Sequence, residues 1–236
     1  MQQLNAGFVG DKSVFGMTAP IEGFRYRLGV EQYFGDYSLT AYNIDLRKYF
    51  RFKPVTLAFR AYSYLRTGKD DDKLYRLYLG YPYLVRGFDN TSNENIGALT
   101  INDLMGSRVA VGNIELRLPF TGPEKLAAIK SSFLFTDLNL FFDAGLAWNK
   151  GNKIVGSMDK RPVVQQFDSD GNPVLDQDGS PVYAYDKNYR IPVFSAGVSL
   201  RVNVFGAMIL EPFYAVPFVK SRTKFGTFGL NFTPGW

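Results

Sequence analysis

Apolar and polar residues alternate with a period of two along most of the chain, the pattern of strands that present two different faces. In 24–34, Tyr26, Leu28 and Val30 alternate with Arg25, Arg27 and Glu31. In 38–50, Tyr42, Ile44 and Leu46 alternate with Asn43, Asp45 and Arg47, and in 55–66 Val55, Leu57 and Phe59 face away from Arg60 and Arg66. Segment 108–120 sets Ala110, Ile114, Leu116 and Leu118 against Asn113, Glu115 and Arg117. Segment 138–148 sets Leu138, Leu140, Phe142, Leu146 and Trp148 against Asn139, Asp143 and Gly145. In 193–204, Phe194, Val198, Leu200, Val202 and Val204 oppose Ser195, Ser199, Arg201 and Asn203. Segments 207–218 and 224–232 repeat the pattern, and 3–18 predicts one weaker strand. The chain thus reads as all-β, with about eight or nine antiparallel strands and a single helical turn in "EKLAAIK" (124–130).

A soluble β-domain also alternates, so the character of each face has to discriminate. Here the polar face carries arginine opposed by aspartate, glutamate and asparagine on strand after strand. The strands run about 10–13 residues, against roughly five or six in soluble sheets, a length that suits a tilted membrane crossing. Tyr33, Phe34, Tyr37, Tyr49, Phe50, Tyr62, Tyr64, Trp148 and Phe218 fall near strand ends, where aromatic girdles meet a membrane interface. These features predict a transmembrane β-barrel, with a soluble β-domain as the alternative. If 24–34 runs outward, the turns at 35–36 and 219–223 and the long loops 67–107 and 149–192 lie on the outer side. The inner side then holds the links at 52–54, 121–137 and 205–207, and long outer loops with short inner turns are the outer-membrane habit.

Composition narrows the chemistry. Among 236 residues there is no cysteine and no histidine, which excludes disulfides, Cys/His zinc sites, thiol catalysis and histidine triads. No nucleophile, metal centre or cofactor site is expected. The net charge of +5 comes from scattered Lys and Arg, so nucleic acid is not an expected partner. No run approaches the ~18 apolar residues of a membrane helix, which says nothing against strands. "MQQLNAGFVGDK" lacks the features of a signal peptide, so the chain reads as mature or as a piece of a longer one. "DSDGNPVLDQDGSP" brings Asp168, Asp170, Asp176 and Asp178 into D-x-D-G pairs. These fit either a calcium loop without the complete ligand series or two Asp-Gly turns in a hairpin.

Arg86, in "LYLGYPYLVRGFDNTSNE", is by itself a solvated loop arginine, and Asp143 an ordinary lumen charge. The order of neighbouring motifs changes that. Val85-Arg86-Gly87-Phe88 lies in a long outer loop. "GNIELRLPF" (112–120) follows with Glu115 and Arg117 on the polar face, and then "FFDAG" supplies Phe141, Asp143 and Gly145 as Phe-x-Asp-x-Gly. The chain closes on "KFGTFGLNFTPGW", where Phe228, Leu230 and Phe232 alternate and Trp236 is last. Over about 24–236 the chain resembles the bacterial surface antigen (D15), or BamA-like, outer-membrane assembly barrel superfamily.

The resemblance implies a barrel of sixteen strands with its signature loop between strands eleven and twelve. Residues 1–236 would then be the C-terminal barrel region, lacking upstream strands and periplasmic domains. It implies a non-enzymatic role in outer-membrane protein insertion or polypeptide translocation. The partners it implies are outer-membrane lipid, client polypeptides and periplasmic accessory proteins, in a Gram-negative outer membrane or the equivalent organelle membrane. A passive pore, or an anchor for a fused upstream domain, is the alternative. It further implies that the loop folds into the lumen, with Arg86 against Asp143 and Glu115. Gly87 would supply a positive φ, and Phe88 would fill the space beside Gly145. In a partly wet lumen such a pair is worth about 1–3 kcal/mol.

Overall fold

The computed structural model describes residues 1–88, 95–96, 99–218 and 226–232. Among the described residues, nine strands follow one another along a single antiparallel sheet. They are β1 (Gln2–Asp11), β2 (Pro20–Phe34), β3 (Leu39–Phe52), β4 (Val55–Gly68), β5 (Arg108–Gly122), β6 (Phe135–Trp148), β7 (Val193–Val204), β8 (Met208–Pro217) and β9 (Thr227–Asn231). Each pairs with its sequence neighbours, β4 with β5 directly beneath the long loop 69–107. With nine strands in strict antiparallel order, β1 and β9 run in the same direction. Among the described residues they do not pair, and antiparallel closure needs an even number. The sheet is an open, partial barrel.

Burial is inverted relative to a soluble protein. Arg117, Arg201, Glu115 and Glu211 are all at most 2% exposed on the concave face, whereas Leu140 is 53% and Phe142 39% exposed on the convex face. Apolar residues turned outward on every long strand are stable only against lipid, and strands whose backbone bonds are all made laterally can cross it. This excludes the soluble alternative.

Several local expectations are corrected. The strand expected within 3–18 is β1, but it ends at Asp11; the two-residue strand Val14–Phe15 follows, and 16–19 turn into the lumen. Four of the aromatics assigned to membrane girdles face inward: Tyr33, Tyr49, Tyr62 and Tyr64 share the parity of Glu31, Arg47, Arg60 and Arg66. Phe34 and Phe50 do face outward. "EKLAAIK" makes one hydrogen-bonded turn, with the amides of Leu126 and Ala127 donating to the Pro123 carbonyl, before Ile129–Lys130 adds a short parallel pairing to β5. The turn expected at 219–223 lies outside the described residues.

In the outer loop 149–192, the two D-x-D-G segments are twin turns. Asp168 Oδ1 accepts the amides of Asp170 and Asn172 at 2.9 and 2.8 Å. Asp176 Oδ1 accepts those of Asp178 and Ser180, both at 2.9 Å. Gly171 and Gly179 take φ of 84° and 80°. Both carboxylates are thus engaged by their own backbone, as Asx turns require, and Asp168 is held below the ordinary carboxylate range chiefly by the Asn172 amide.

Candidate functional site

The inward residues of β5 change character along its length: Val109 and Val111, then Asn113, Glu115 and Arg117. The lumen is therefore apolar at its outer end and ionic deeper in, and the long loop matches this gradient. Leu79, Leu84, Val85, Phe88, Leu99 and Leu104 from the loop pack with Leu39, Ala41, Val109, Val111, Ala147 and Val193 of the wall. Below this layer the tip delivers a single cation.

Arg86 uses its whole fork. Nε and Nη2 donate to Asp143 Oδ2 and Oδ1, each at 2.8 Å, a bidentate pair that fixes orientation as well as distance. Its backbone N–H also reaches Asp143 Oδ2, at 3.1 Å. Nη1 donates to Glu115 Oε1 at 2.8 Å and to Glu211 Oε1 at 3.1 Å. The guanidinium lies 3.6 Å from the centre of the Phe141 ring, close enough for a desolvated cation–π contact. Arg86 is 3% exposed and Asp143 and Glu115 are fully buried, so the pair is dry rather than partly wet. Burial disfavours the charged guanidinium, but Asp143 and Glu115 override this and hold its pKa above the ordinary arginine range.

Two more arginines complete the cluster. Arg117 Nε donates to Glu115 Oε2 at 2.8 Å, and Arg201 Nη2 lies 3.0 Å from Glu115 and 3.3 Å from Glu211. Arg86, Arg117 and Arg201 thus meet Asp143, Glu115 and Glu211 in an ion-paired set without net charge. A buried charge is tolerated only with such partners.

Neutral donors complete the shell: Asn113 Nδ2 bridges the Leu84 carbonyl and Asp143 Oδ1, both at 2.8 Å. Ser199 Oγ donates to Glu211 at 2.8 Å. On the inner side Arg117 Nη1 donates to the Pro20 carbonyl at 2.9 Å, Asn203 to that of Met17 at 2.9 Å, and Thr18 Oγ1 to Asp137. Glu115 therefore stands between the outer loop and the inner 16–20 segment.

The residues singled out in the sequence fall as follows. Val85, Arg86, Gly87 and Phe88 form the docked tip, and Gly87 has φ of 90°. Glu115, Arg117, Phe141, Asp143 and Gly145 line the wall around it. Phe88 does not fill the space beside Gly145. Val85 does: a Cβ built on Gly145 would lie 2.6 Å from Val85 Cγ2 and 3.2 Å from Leu79. The cause is the left-handed turn at Gly87, which carries Phe88 away into the apolar layer. Phe228 and Leu230 face outward on β9 and Phe232, just past its end, is exposed, while Trp236 lies outside the described residues. Glu211, Arg201 and Asn113 join this cluster as well; the sequence pattern marks Arg201 and Asn113 only as polar-face residues, and all three share the inward parity of their strands.

The steric contact at Gly145 makes a prediction that leaves every charge in place. Gly145→Val is expected to push the tip off β6, costing about 1–3 kcal/mol as overpacking does. The loop should become cleavable by an added protease while the folded barrel keeps its shifted mobility in unheated SDS gels. Unchanged protease resistance would refute the contact.

A family model described as the Omp85 superfamily domain matches residues 4–235. No curated protein matches the chain.

Proposed function

The chain belongs to the Omp85 superfamily, and from that premise we propose that it serves outer-membrane protein insertion or polypeptide translocation, without chemistry of its own. The single observation that carries this reading is the tip of the long loop, held inside the lumen by Arg86 against Asp143, Glu115 and Glu211. Such a brace holds the wall in one shape and keeps the loop tip packed against its inward face, which suits a scaffold that works on other chains better than an open conduit. Its partners would be membrane lipid, client polypeptides and periplasmic accessory proteins. The setting would be a Gram-negative outer membrane or the equivalent organelle membrane.

Depletion of the protein in its source cell, with unrelated barrel proteins followed as clients, tests this. Clients should accumulate unassembled and be rescued by the wild-type gene but poorly by Arg86→Ala. Normal client assembly accompanied by a lost ion conductance would favour the passive pore instead.

A further inference from the structure

Lys48 stands on an unexpected face. On β3 the residues Ala41, Asp45 and Tyr49 are buried toward the lumen, while Tyr42, Leu46 and Phe50 are exposed outward, and Lys48 shares the outward parity. Its ammonium lies 5.6 Å from the Phe24 ring centre and 5.2 Å from that of Phe50. Among the described residues no carboxylate lies within ion-pair distance of it. A cation on a lipid-facing strand costs free energy that grows toward the midplane, so it calls for an anion from the surroundings.

An apolar concavity of about 600 Å³ opens beside it on the same face, lined by Phe24, Lys48, Phe59, Ile114, Phe142 and a floor of small residues. The floor is one lateral row, Ala61 on β4, Gly112 on β5 and Ala144 on β6. Gly112 is the telling residue. Nothing lies within 4 Å of a Cβ built there, its φ is not left-handed, and the register on both sides is unbroken. Glycine in a strand is destabilising relative to alanine, and where no bulge, bend or neighbouring backbone accounts for it, the close approach of a ligand is a use that strand glycine serves. The direction is also informative. Lys48 pairs with Phe59 and Leu46 with Ala61, so the floor lies one row farther than Lys48 from the short turn at 53–54. From the ammonium, the groove runs toward the bilayer centre.

We propose that this groove holds one phospholipid of the leaflet nearest the short turns, its phosphate on Lys48 and one acyl chain along Ala61, Gly112 and Ala144. The inference rests on membership of an outer-membrane barrel family and not on the proposed role in insertion.

Native mass spectrometry of the full chain, released from maltoside micelles containing palmitoyl-oleoyl phosphatidylglycerol, tests it. The wild type should retain one lipid. Lys48→Met, which removes the charge, and Gly112→Leu, which fills the groove, should each lower retention about tenfold at equal lipid. Both changes point outward, and heat-shifted gel mobility checks that each variant is folded. Retention at the wild-type level in either folded variant overturns the proposal. So does displacement of the lipid by millimolar inorganic phosphate, which would show an anion site without a chain site.

Discussion

Replacing Arg86 with alanine is expected to undock the signature loop, at a cost of about 3–5 kcal/mol, the range for removing one partner of a buried ion pair. The substitution leaves Asp143, Glu115 and Glu211 facing Arg117 and Arg201 alone, with Asp143 losing both of its guanidinium bonds. The desolvated carboxylate, rather than the lost attraction, dominates the effect. Exposed surface arginines are worth far less, and complete burial of Asp143 decides between the two cases. Protease sensitivity of the loop and urea unfolding in lipid vesicles would measure the change. Asp143→Ala in the Arg86→Ala background should cost much less than Asp143→Ala alone, because the orphaned charge is then removed. Strictly additive losses would show that the two residues do not act as a pair.

The strand pattern was legible in the sequence because a period of two marks each face, whereas that pairing was legible only through the family resemblance that the ordered motifs carry. Parity also outweighs nearness to a strand end in deciding which way an aromatic side chain faces. Tyr64 lies between Arg60 and Arg66 on alternate positions of β4, so it had to share their face. It does so, donating to Glu31 at 3.1 Å. What alternation cannot give is distance across the lumen. Glu211, in "ILEPFYAVP", is one inward carboxylate among several, and only the loop tip, reaching from β6 toward β8, makes it a partner of Arg86. Nor could the motif say which member of Val85-Arg86-Gly87-Phe88 meets Gly145. That is decided by the Arg86 amide on Asp143 and the positive φ at Gly87, two backbone facts. The 16–20 segment is hard to read for a related reason: two of its three anchors are the carbonyls of Met17 and Pro20, which leave no mark in the side-chain pattern, and the third, Thr18 on Asp137, is a contact across the lumen.

Glu115 should be the residue whose loss is felt at both ends of the lumen. It accepts from Arg86, Arg117 and Arg201, so Glu115→Ala leaves three guanidiniums sharing two carboxylates and opens a cavity among them. The expected cost is at least that of Arg86→Ala, about 3–5 kcal/mol. Glu115→Gln keeps the volume and one acceptor oxygen and should fall between alanine and wild type. The distinguishing expectation is spatial. Arg117 is oriented by Glu115 and in turn holds the Pro20 carbonyl, so releasing it should loosen 16–20 as well as the loop tip. Hydrogen exchange followed by mass spectrometry should therefore show faster amide exchange in peptides covering 79–88 and in those covering 16–21. In Gly145→Val, where the ion pairs of Arg117 are untouched, the acceleration should be confined to 79–88. If Glu115→Ala accelerates only the outer loop, the inner segment is held by Thr18 on Asp137 and Asn203 on Met17 without help from Glu115. The two ends of the lumen would then be independent.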